Sequence, residues 1–98
     1  MSIALLQEIT GGDPVQMAAL AEEFRGHLQR SITALKTAAG EDEWAAMAHR
    51  LKGGALAVGA TEVAALARQA EEVGIADRDS VLSRIDDAFA KDMLPPTS

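Results

Sequence analysis

The chain has 98 residues, a formal net charge of −6 and no cysteine. That length supports one domain with a single modest core. The acidic balance excludes general nucleic-acid binding, which needs a basic surface, and the missing thiols exclude disulfides and thiolate zinc sites. Hydrophobic residues make up 48% but aromatics only 3%, namely Phe24, Trp44 and Phe89. Such a core is aliphatic and rich in small side chains, as between closely packed helices. Abundant alanine, few β-branched runs and three prolines indicate an all-α protein.

The first residues, Met-Ser-Ile-Ala-Leu-Leu-Gln-Glu, lack the basic start and long apolar stretch of a signal peptide. No apolar run approaches the ~20 residues needed to span a membrane. A cytoplasmic protein without membrane association is therefore expected. Ser2 is placed to cap a short helix over about 2–9, stopped by Thr10-Gly11-Gly12. Asp13-Pro14 then gives a capping carboxylate followed by proline at the first helical position. Met17, Leu20, Phe24, Leu28, Ser31 and Leu35 recur at three- and four-residue steps, which predicts one long helix ending near Gly40. Glu41-Asp42-Glu43 places three acids at the next N-terminus, where the helix dipole favours them.

The third helix carries a predicted core stripe of Trp44, Met47, Leu51, Ala55 and Val58, all within an arc of about 80°. His49 lies roughly 160° from the middle of that arc and points away from the core. Ala45, Ala46, Lys52, Gly53 and Leu56 share its face. Gly54 lies nearer the core edge and reads as a helix-packing glycine. Gly59 closes the helix and Thr61 or the adjacent residues open the next, with Val63, Leu66, Ala70 and Val73 as its buried stripe and Glu71 on the flank. Gly74 ends it. Asp77 or Asp79 caps a last helix with Leu82, Ile85 and Phe89 inward, and Leu94-Pro95-Pro96 ends the ordered part. Short connections between long amphipathic helices make neighbours antiparallel. The expected fold is an all-α, up-down four-helix bundle over about 13–93 with a short extra N-terminal helix, all within one domain spanning 1–98.

The chemistry gathers at Ala48-His49-Arg50-Leu51-Lys52-Gly53-Gly54-Ala55. Each helix-interior glycine costs about 1 kcal/mol relative to alanine, so something requires the missing side chains. A neutral imidazole is a good nitrogen nucleophile near physiological pH. Lys52, one turn on, can meet phosphate oxygens as a mobile point charge, and phosphoryl transfer asks mainly for positioning and charge neutralisation. A carboxylate on the second ring nitrogen would fix the tautomer, and Glu71 on the neighbouring helix is the candidate. His27, the other histidine, lacks lysine and glycine at the useful offsets and reads as an ordinary surface residue. Metal binding is poorly supported because Gly53 occupies the position four residues after His49. No Walker-type or kinase-like glycine loop is present, so the chain has no ATP site of its own.

These residues, with Val58-Gly59-Ala60, the run from Leu66 to Glu71 and the opening Gly11-Gly12-Asp13-Pro14, resemble the histidine-containing phosphotransfer (Hpt) domain of bacterial two-component phosphorelays. The resemblance runs from about Ile3 to Phe89. It implies a phosphoryl carrier, not an enzyme, with His49 as phosphoacceptor and Lys52 neutralising the phosphoryl charge. Glu71 matches a position that hydrogen-bonds the histidine in some members. Gly53 would let a receiver domain approach closely, with Ala45, Ala46, Arg50, Leu56 and Arg68 around it as the docking surface. The implied partners are response-regulator receivers and a (hybrid) histidine kinase. No cofactor is implied on this chain, since Mg²⁺ would belong to the receiver. A monomer is expected, and Met1 with the Pro-Pro-Thr-Ser end favours a free-standing protein. The rival reading is a helical adaptor that docks receivers without transferring phosphate, against which the intact His-Lys-Gly set speaks.

Overall fold

Local capping signals set most helix boundaries in the computed structural model, which describes residues 2–93. Ser2 Oγ accepts from the Leu5 amide and starts α1 (Ile3–Thr10), and Gly11 ends it with φ of 71°. That left-handed conformation is one glycine adopts without steric cost. The Asp13 carboxylate accepts from the Val15 and Gln16 amides and Pro14 opens α2 (Pro14–Lys36). The helix stops at Lys36, four residues short of the expected Gly40. There the Thr37 hydroxyl bonds back to the Thr33 and Ala34 carbonyls, and Ala38 turns into the core. Glu43 then accepts from the Ala39 amide just before α3 (Glu41–Ala57), whose first turn holds all three acids.

Helix α4 (Thr61–Val73) has no side-chain cap of its own. Asp92, from the far end of the chain, supplies one by accepting from the Val63 amide. Gly74 ends α4 with φ of 75°, and Glu41 accepts from the Ile75 amide behind it. A single 3₁₀ turn (Ile75–Asp77) leads into α5 (Arg78–Asp92). Asp77 occupies the cap position of α5, as one of the two expected residues, but its side chain caps nothing.

Helices α2 to α5 alternate in direction and form the four-helix bundle, with α1 against α2. Long-range hydrogen bonds fix the register at both ends. Arg25 donates to the Met93 carbonyl at one end, and Arg78 donates to the Lys36 and Ala38 carbonyls at the other. No strand occurs among the described residues. The core gathers Leu28, Ile32 and Leu35 of α2, Trp44, Ala48, Leu51 and Ala55 of α3, Val63, Ala64, Ala67 and Ala70 of α4, and Val81, Leu82, Ile85 and Ala88 of α5. Each large side chain buried there contributes about 1.5–3 kcal/mol.

Two expected stripes are shifted. In α3, Ala48 is fully buried and Met47 only half-buried; in α4, Ala64 and Ala67 are buried, Leu66 is half-buried and Val73 is exposed. Phe89 is also half-buried. The expected ordered end at Leu94-Pro95-Pro96 lies outside the described residues.

Candidate functional site

His49 stands on the outward face of α3 because the helix is anchored through the opposite one. Trp44, Ala48, Leu51 and Ala55 are wholly buried, and the Trp44 indole donates to the Ala70 carbonyl of α4 at 2.7 Å. That bond pins α3 to α4 one residue before Glu71. Its consequence is a contact between helices: His49 Nδ1 lies 3.1 Å from Glu71 Oε1, while Lys52 Nζ donates to Glu71 Oε2 at 3.2 Å. A single carboxylate therefore holds both the imidazole and the ammonium.

The exposures are unequal. The His49 side chain is 75% exposed, whereas those of Lys52 and Glu71 are 26% and 25% exposed. Lys52, expected on the open face, instead lies along the α3/α4 groove, because its long stem packs while its head reaches the carboxylate. A carboxylate only accepts hydrogen bonds, so in the neutral imidazole Nδ1 carries the proton. The Nε2 lone pair is then left for chemistry. The ring is oriented but not covered.

Gly53 and Gly54 differ as their register predicts. A Cβ on Gly53 would meet nothing within 4 Å. On Gly54 it would lie 3.3 Å from His27 Nε2 and 3.5 Å from Leu28 Cδ2, so this glycine admits α2. Ala45, Ala46 and Leu56 are exposed around His49, and Leu56 keeps 62% of its surface in solvent. The two arginines take opposite sides. Arg50 faces a groove with His27, Arg30 and Ser31 of α2, whereas Arg68 lines a groove of about 250 Å³ with Lys52, Leu56 and Ala64 on the α4 side. The double engagement of Glu71 was not apparent from the sequence, where Lys52 is related to His49 only through their spacing on one helix. Among the described residues, no group of three or more His, Asp or Glu side chains is arranged to hold a metal ion. No described helix is long and apolar enough to cross a membrane.

A family model for the Hpt domain matches residues 16–92, a span that contains α3, α4, α5 and nearly all of α2. No curated protein and no solved structure matches the chain. Hpt domains are phosphocarrier modules of two-component phosphorelays that interact with receiver domains and histidine kinases. With the helical bundle and well over half its length matched, the chain belongs to the Hpt domain family.

Proposed function

We propose that the protein relays a phosphoryl group through His49, taking it from a receiver aspartate or a histidine kinase and passing it to another receiver. The observation that carries this reading is the exposed imidazole whose Nδ1 is tied to Glu71. The Nε2 lone pair attacks the phosphorus of an aspartyl phosphate. The N–P bond forms as the acyl-phosphate O–P bond breaks, and the aspartate departs as a carboxylate. Nδ1 keeps its proton against Glu71, which stabilises the positive charge that the ring acquires. The reverse sequence delivers the group to the next aspartate.

Lys52 neutralises charge on the equatorial oxygens, the main electrostatic demand of phosphoryl transfer. It reaches them by exchanging one carboxylate oxygen for the phosphoryl group. Gly53 leaves the approach open, which matters because reacting atoms must come within about 3–3.5 Å. The aspartate and Mg²⁺ come with the receiver.

The test is incubation with labelled phospho-receiver. Label is expected on the protein in a linkage lost in acid and retained in alkali, as for a phosphoramidate. Binding of receivers without any label would establish the adaptor reading instead, and loss of label in alkali as well as in acid would place the phosphoryl group on a carboxylate.

A further inference from the structure

Helices α3 and α4 meet over a surface of alanines. Ala48 and Ala55 of α3 and Ala64, Ala67 and Ala70 of α4 are all buried. Methyl groups make low ridges and their attraction has no direction, so this surface holds the setting of the two helices only weakly. At one end the short connection through Gly59 fixes that setting, with the Ala60 amide bonded back to the Ala55 carbonyl at 2.9 Å. Glu71 stands far from this connection. At 1.5 Å per residue it lies roughly 16 Å further along α4.

At the open end the tie is the Trp44 indole. Its N–H reaches the Ala70 carbonyl at 2.7 Å from a ring that is wholly buried. The same carbonyl accepts the Gly74 amide at 3.2 Å, so one oxygen closes the last turn of α4 and takes the indole on its second lone pair. Arg78 seats the ring from the start of α5. Its guanidinium lies 5.9 Å from the ring centroid and donates to the Lys36 and Ala38 carbonyls. Filling the core needs only the bulk of the ring. The N–H adds a directional bond, made one residue before the carboxylate that holds His49 Nδ1 at 3.1 Å and Lys52 Nζ at 3.2 Å.

We propose that the buried Trp44 N–H is a positioning group for phosphoryl transfer and acts through Glu71. This inference rests on the phosphotransfer reading above. With the bond made, the last turn of α4 stays against α3 and Glu71 stays within reach of both its partners. The imidazole then keeps its proton on Nδ1 and presents the Nε2 lone pair. Without the bond, that turn keeps its own link from Gly74 to Ala70 but is free to move away from α3. The imidazole loses the acceptor that fixes its tautomer. Trp44 is enclosed on the inward face of α3, so the receiver's own contacts are unchanged and the loss falls on the transfer step.

The experiment exploits the single tryptophan of the chain. Growth on β-(3-benzothienyl)alanine replaces that side chain alone, exchanging the N–H for sulfur in a ring of similar shape. Transfer from a phospho-receiver that labels the parent is followed for the parent, the analogue protein, Glu71→Ala and the two changes combined. Thermal melts and the His49 ring ¹⁵N resonances in alkaline solution accompany the kinetics. The analogue protein is expected to transfer about tenfold more slowly at saturating receiver, with the half-saturating concentration within twofold of the parent. Its His49 resonances should move from the Nδ1–H tautomer toward a mixture. The combined change should be no slower than Glu71→Ala, as for two groups that act through one contact. Ile32→Ala, buried in α2, is the control for stability: it lowers the melt but keeps the parent's rate and tautomer while folded. A folded analogue protein with the parent's rate and tautomer, or a combined loss equal to the product of the separate ones, would overturn the inference. Should the analogue protein fail to fold, Trp44→Phe reads the same quantities with the same overturning results. A parent that accepts no label from any receiver would overturn the phosphotransfer reading, and the ¹⁵N tautomer, which needs no receiver, separates that failure from a failure of the Trp44 tie.

Discussion

The two faces of α3 come from one alanine-rich stretch of 17 residues and serve opposite ends. The inward face carries Trp44, Ala48, Leu51 and Ala55, all without solvent contact. The outward face carries His49, Gly53 and Leu56, exposed and with open space beside Gly53. Alanine serves both, as a filler that lets α4 come close on one side and as a low surface that leaves the imidazole prominent on the other. On the proposed reading, stability and phosphotransfer are separable along this helix at single-residue resolution, except at Trp44, whose ring serves one and whose N–H the other. A change one position over moves from one to the other.

His49→Gln makes the sharpest break. All label acceptance is expected to vanish while the thermal melt stays with the parent, because the side chain contributes nothing to the core. Leu51→Ala does the reverse and loses about 2–5 kcal/mol of stability, read by urea denaturation. Folded Leu51→Ala protein at low temperature should still accept label. Gly53→Gln is expected to cut transfer by roughly a hundredfold, the scale of a 1 Å misplacement. The added side chain would enter the open space beside Gly53, the proposed path of the aspartyl phosphate. If the Gly53→Gln protein is unfolded, Gly53 moves to the inward class.

Lys52→Ala should slow transfer about tenfold, less than a fixed oxyanion donor would, with receiver affinity changed little. Kinetics equal to the parent would remove the lysine from the site. The smallest effect is Gly53→Ala, which should add about 0.5–1 kcal/mol of stability. Nothing in the fold resists a methyl group there. A loss of stability instead would show that the backbone at Gly53 is held for a reason other than approach.

How much of this was legible in the sequence depended on the size of the side chains. Caps read correctly where a side chain does the capping, as at Ser2 and Asp13. The start of α4 could not be read this way, since its capping carboxylate is Asp92, 29 positions away from Val63. The outward direction of His49 followed from Trp44, Leu51 and Ala55, which set the register of α3. In α4 the same reasoning chose Leu66 and Val73 over Ala64 and Ala67. Large apolar residues mark a stripe only where the neighbour leaves room for them, and tightly packed helices select alanine at the point of contact. Glu71 was identifiable as a flank residue, but its bond to Lys52 depends on how far α3 and α4 slide past each other. That offset is fixed by the bond from Trp44 to Ala70, a contact with no signature in local sequence.

The same tryptophan has an optical consequence. It is the sole Trp in a chain without tyrosine, it is fully enclosed, and the Arg78 guanidinium lies 5.9 Å from its ring centroid. Near-ultraviolet emission therefore comes almost wholly from one chromophore shielded from water, which places its maximum at short wavelength and leaves it inaccessible to iodide. Unfolding shifts that emission to the red. The outward face of α3, where a receiver is proposed to dock, lies on the other side of the helix from the indole, so the emission is expected to report folding and to stay unchanged on receiver binding.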